Sequence, residues 1–65
     1  MKLGDLVMHS DEIERYNRGD HIQVGMIVKI TKSKTIFIMW PNQFYLTGCN
    51  DYSFNDRYVV ISEQN

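Results

Sequence analysis

Val24-Gly25-Met26-Ile27-Val28-Lys29-Ile30-Thr31-Lys32-Ser33-Lys34-Thr35-Ile36-Phe37-Ile38-Met39-Trp40 contains two runs rich in β-branched and aromatic residues, split by a short polar join. Such runs suit a pleated, half-buried strand rather than a helix. In the first, Val24 to Thr31, a period of two sets Met26, Val28 and Ile30 against Ile27 and Lys29. In the second, Thr35 to Trp40, it sets Ile36, Ile38 and Trp40 against Phe37 and Met39. Two strands joined by Lys32-Ser33-Lys34 make a hairpin. Ile36, Ile38 and Trp40 are the expected core face. Gly25 marks a bulge or a sharp bend. Pro41 ends the second run because proline donates nothing to a ladder.

Working outward, Leu3 to Met8 is a first strand entered through a bend at Gly4-Asp5. Residues 9–23 form a long polar connection. It holds either a short helix, with Asp11 and Glu14 as a capping box and Gly19 as the C-terminal cap, or an excursion loop. Beyond Pro41, Phe44 to Thr47 is an expected fourth strand closed by Gly48. Cys49 to Asp56 is turn-rich, with a 3₁₀ turn expected at Ser53 to Asp56. Arg57 to Ser62 is the last strand, followed by the polar tail 63–65. Five short strands, a long first loop and a tight turn before the last strand are the layout of an all-β, five-stranded SH3-like barrel. Closure would remove exposed edges.

Composition limits the functions available. At 65 residues the chain makes one domain, which buries only about 60% of the surface its unfolded chain exposes and has little volume for a deep cleft. A 43% hydrophobic fraction is that of a folded protein. The formal net charge of −1 counts against strong non-specific binding to nucleic acid, though a local basic patch is compatible with it. A single cysteine, Cys49, makes no intramolecular disulfide. The N-terminus has no signal-peptide pattern, and the longest apolar run, Ile36 to Trp40, is too short for a membrane span. A soluble protein in a reducing, cytosolic setting is the expectation.

The segments Met1-Lys2-Leu3-Gly4-Asp5-Leu6-Val7, Gly25-Met26-Ile27-Val28-Lys29-Ile30, Ile36-Phe37-Ile38-Met39-Trp40 and Tyr58-Val59-Val60-Ile61-Ser62 follow in order. Together they resemble the small SH3-like proteins of tailed bacteriophages, especially marine ones. The resemblance spans nearly the whole chain, and its motifs mark bends and core positions rather than chemistry. The chain departs from the family pattern in its long charged first loop, in the aromatic stretch 43–55, and in Arg57-Tyr58 where an acidic residue and leucine are usual. The resemblance implies the barrel fold and a viral origin, with the protein placed in the infected cell or in the virion. Members mostly have no assigned role.

Few residue groups suggest catalysis. His9, His21 and Cys49 lack the spacing of a metal site and read as surface histidines and an inert thiol. Asp11, Glu12 and Glu14 read as solvated charges near a helix start, and Arg18-Gly19-Asp20 as a turn whose match to the adhesion tripeptide is coincidental. No acid, base and nucleophile converge, so no enzyme, cofactor or metal is expected. Lys29, Lys32 and Lys34 cluster at the hairpin. They guard against strand-to-strand aggregation or, as in SH3-like domains of the KOW class, contact phosphates. Eight aromatics exceed what so small a core buries easily. Phe37, Phe44, Tyr45, Tyr52 and Phe54 are therefore the candidate protein-binding surface, with Phe44 and Phe54 alternatively plugging the barrel ends. The leading expectation is a protein-binding module whose partner is itself, a virion component or a host protein. Nucleic-acid binding through the lysine hairpin and a structural role in the capsid or tail are the alternatives.

Overall fold

The computed structural model describes residues 2–62; the expected polar tail 63–65 lies outside them. Five strands, β1 (Leu6–His9), β2 (Gly25–Ile30), β3 (Thr35–Met39), β4 (Thr47–Asn50) and β5 (Tyr58–Ser62), form one antiparallel sheet in the order β4-β3-β2-β1-β5. The sheet is open. β4 and β5 are its edges, so the expected closure into a barrel is not realised. A 3₁₀ turn at Ser10–Glu12 runs into helix α1 (Ile13–Asn17), and helix α2 (Asp51–Arg57) lies between β4 and β5. Among the described residues no helix is long and apolar enough to cross a membrane.

The hairpin expected from the central stretch forms, and Ile36 and Ile38 of β3 are buried as expected, together with Trp40 just past its end. They pack with Val7, Ile27, Cys49, Phe54 and Tyr58 in one cluster flanked by Val60. Cross-strand registry builds it: Ile27 faces Ile38, Ile36 faces Cys49, and Val7 faces Gly25 on one side and Val60 on the other. The core residue of β2 is Ile27, while Met26 and Val28 are half-buried and Ile30 is exposed. The β2–β3 ladder slips between Ile27 and Lys29, so the irregularity lies near Val28 and not at Gly25. Gly25 serves close approach instead. A Cβ there would stand 2.7 Å from the Ile38 side chain and 2.8 Å from the Trp40 ring.

The long first connection resolves in favour of a helix. The Asp11–Glu14 capping box does not form, because Ser10–Glu12 is a 3₁₀ turn preceded by His9 and no side-chain cap bonds are made at either helical start. The Gly19 cap does form. Gly19 has φ +82°, its N–H donates to the Tyr16 carbonyl (3.1 Å), and the Asp20 N–H donates to the Arg15 carbonyl (2.9 Å). This is the paired bonding of a Schellman motif, which favours glycine. Arg18 and Asp20 then pair with each other at 3.0 Å, so the tripeptide is a helix stop.

Two later elements differ from expectation. β4 begins at Thr47, paired with Ile38, and not at Phe44. The Gln43 N–H donates to the Trp40 carbonyl (3.2 Å), and this turn leaves residues 44–46 outside the ladder. Gly48 lies inside β4 rather than ending it, with the Phe37 ring over it. The expected 3₁₀ turn at Ser53 to Asp56 is part of the longer helix α2. Its polar residues are weak helix formers, but Asp51 in the first turn and Arg57 in the last suit the helix dipole, and Phe54 anchors it in the core.

Candidate interaction surfaces

The five aromatics expected to form one binding surface are distributed over four places. Phe54 is 1% exposed and belongs to the core, so its assignment to the surface is corrected. It stands three residues into α2, on the face turned to the sheet, where its ring meets that of Tyr58 at a centroid distance of 5.4 Å. Phe37 is half-buried on the outer face of β3, between Lys29 of β2 and Gly48 of β4. The Lys29 Nζ lies 5.9 Å from the Phe37 ring centroid, at the outer limit of a cation–π contact.

Phe44 and Tyr45 are at one end of the β3–β4 pair. Phe44 is fully exposed and Tyr45 is 67% exposed, and Leu46 beside them is exposed too. The same end carries exposed Met39, which terminates an outer-face row running Leu6–Met26–Met39 across β1, β2 and β3. This corner therefore combines four exposed apolar side chains with the start of β4, an edge strand whose outer side faces no other strand among the described residues. No Asp, Glu, Lys or Arg occurs from Thr35 to Asn50.

Tyr52 is at the opposite end. β4 runs antiparallel to β3, so Asn50 pairs with Thr35, and the Asp51 N–H donates to the Lys34 carbonyl (3.1 Å). Helix α2 thus starts on the β2–β3 hairpin. Tyr52, one residue on, is 82% exposed, and its hydroxyl accepts from the Asn50 Nδ2 (3.2 Å). Lys29, Lys32 and Lys34 are all exposed at this end. In the β1–β2 pairing Leu6 and Val7 face Met26 and Gly25, so Lys29 lies beyond the paired residues of β1, and Lys32 and Lys34 lie in the turn.

The inner face has a feature that sequence alone did not suggest. His9 ends β1 and lies flat on Trp40, with ring centroids 4.5 Å apart and planes 8° apart. The Tyr58 ring meets Trp40 at a tilt, with centroids 5.9 Å apart and planes 36° apart. His9 is exposed, yet its ring covers the core tryptophan. The alternation of β1, which turns Val7 and His9 to the same side, was the available signal. Burial raises the Tyr58 phenol above its ordinary value; Cys49 adds to this and Arg57 opposes it. The Cys49 thiol is buried, 3.4 Å from the Asn50 carbonyl and 3.5 Å from the Ser53 hydroxyl. Among the described residues no three His, Cys, Asp or Glu side chains are grouped to hold a metal ion.

Comparison with protein-family models, with curated proteins and with solved structures gives no match.

Proposed function

We propose that the chain is a non-enzymatic protein-binding module that uses the corner formed by Met39, Phe44, Tyr45 and Leu46 beside the β4 edge. The observation that carries this reading is the exposure of four large hydrophobic side chains, Met39, Phe44, Tyr45 and Leu46, within a stretch of sequence without a single charged residue. A small domain gains nothing in folding from holding Phe44 wholly in water, and aromatic side chains supply large contact area at low entropic cost. The β4 edge, which pairs with no further strand among the described residues, suits an extended segment of the partner, which would add a strand while its apolar side chains pack on Phe44 and Tyr45.

The fold reading within this proposal is an SH3-like arrangement, opened rather than closed. It is supported by the meander β1 to β4, by the return of β5 to pair with β1, and by the helical turn just before β5. The resemblance to phage SH3-like proteins makes a virion component or a host protein the first place to look for the partner, with the infected cell or the particle as its setting.

The test is capture by the immobilised domain from a lysate of cells in which the chain is naturally made, read by quantitative mass spectrometry. The double variant Phe44→Ala, Tyr45→Ala should lose the captured protein by at least about tenfold, the scale of one or two hot-spot side chains. Equal capture by wild type and double variant would remove this surface from consideration.

A further inference from the structure

Several independent features meet at the hairpin end of the sheet, away from Phe44. Residues 29–35 hold Lys29, Lys32 and Lys34 and no acidic residue. The ion pairs among the described residues are Arg15–Glu12 and Arg18–Asp20, so none of these lysines has a carboxylate partner there. The turn bonds the Lys34 N–H to the Thr31 carbonyl (2.9 Å) and the Thr31 N–H to the Thr35 carbonyl (3.0 Å). Lys34 has φ +63°, the one non-glycine residue in that region among those described. Glycine takes this conformation without a steric cost, whereas lysine is strained in it. A strained residue at an exposed turn points to a use for its side chain.

The hydroxyls add donors. Thr31 and Ser33 hydroxyls are hydrogen-bonded at 2.9 Å, the Ser33 and Thr35 hydroxyls lie 3.5 Å apart, and the Thr35 N–H donates to the Thr31 Oγ1 at 3.0 Å. This chain of contacts holds Ser33 between the two lysines of the turn. Tyr52 supplies an exposed ring, fixed at the same end by the Asp51–Lys34 backbone bond and by its own bond from Asn50.

We propose that this end binds single-stranded nucleic acid, with backbone phosphates at Lys32, Lys34 and the Ser33 hydroxyl and a base stacked on Tyr52. Unpaired cations beside an exposed ring are what a single strand requires; a duplex hides its base faces. With a net charge of −1 the rest of the chain adds no overall attraction, so binding rests on these few contacts and is weak, with a modest salt dependence. The surface is separate from the Phe44 corner, and the two can succeed or fail independently.

The test is fluorescence anisotropy of a labelled short oligothymidylate with the full chain. Two or three phosphate contacts predict a loss of about 7- to 18-fold between about 50 and 200 mM salt. Tyr52→Ala should weaken binding by about fivefold or more, the lower end of a stacking contribution. Lys34→Gly should weaken binding while raising Tm by about 4–8 °C, because it removes a charge and a strained backbone together. Phe44→Ala should leave binding unchanged. The proposal is overturned if the oligonucleotide does not bind, or if Lys34→Gly binds as tightly as wild type. It is equally overturned if inorganic polyphosphate competes as well as unlabelled oligothymidylate while Tyr52→Ala has no effect, which would mark a simple anion site, or if a duplex binds more tightly than the single strand.

Discussion

The segments on either side of β4 look alike in sequence. Residues 41–46 and 51–57 are both polar, turn-rich and studded with aromatics. In the fold they diverge. The first makes a turn at Trp40 to Gln43 and then leaves Phe44, Tyr45 and Leu46 in water. The second winds into α2, whose period turns Phe54 into the core while Tyr52, two residues earlier, faces out. An aromatic in a turn-rich segment is buried when local winding gives it one face to pack on. It stays exposed when the backbone is spent on reversing direction. The difference also separates two surfaces that would otherwise merge, an uncharged corner at one end of β4 and a basic hairpin at the other.

The largest test of that contrast is truncation on the helical side. Phe54→Ala should cost about 3–5 kcal/mol in chemical denaturation, enough to unfold much of a domain this small. A cost below about 1 kcal/mol would mean that α2 is not anchored as described. Gly25→Ala comes next. Its Cβ would collide with Ile38 and Trp40, and a loss of about 1–3 kcal/mol is expected. A neutral result would show that Trp40 can shift and is a looser roof over the core than its stacking on His9 implies.

Tyr58, the ring against which Phe54 packs, gives a pH-dependent test. Its raised pKa means that the folded state holds the phenol proton more tightly than the unfolded chain, where the ordinary value is 10.0. The associated stability is complete below that value and is lost as pH rises through the higher native value. Denaturation midpoints should therefore fall more steeply above pH 10 for wild type than for Tyr58→Phe; identical alkaline profiles would place Tyr58 outside the core. The smallest effect belongs to the exposed side. Phe44→Ala should change stability by no more than about 0.5 kcal/mol, and a larger loss would mean that Phe44 packs against the domain after all.

What the sequence conveys depends on how local the determinant is. The β2–β3 hairpin and the core trio Ile36, Ile38 and Trp40 follow from a period of two, and Gly19 follows from helix-capping chemistry. β4 starts three residues later than expected: Phe44, Tyr45 and Leu46 suit a strand, but the turn at Trp40 to Gln43 sets where pairing with β3 starts. Sheet closure is a matter of how far strands curl, which no short motif specifies, and the sheet stays open. The candidate surface was legible as a set of aromatics but not as a place. Phe54 needed the helix to be recognised as core. The union of Tyr52 with Lys32 and Lys34 needed the antiparallel course of β4, which brings residue 51 to residue 34.

The most direct measurement of the central claim uses a photo-crosslinking phenylalanine analogue placed at position 44 in one variant and at position 52 in another. Each is irradiated in the cells where the chain is naturally made. The account predicts a discrete protein adduct from position 44 and none of that size from position 52. The same protein adduct from both positions, or from position 52 alone, would contradict it.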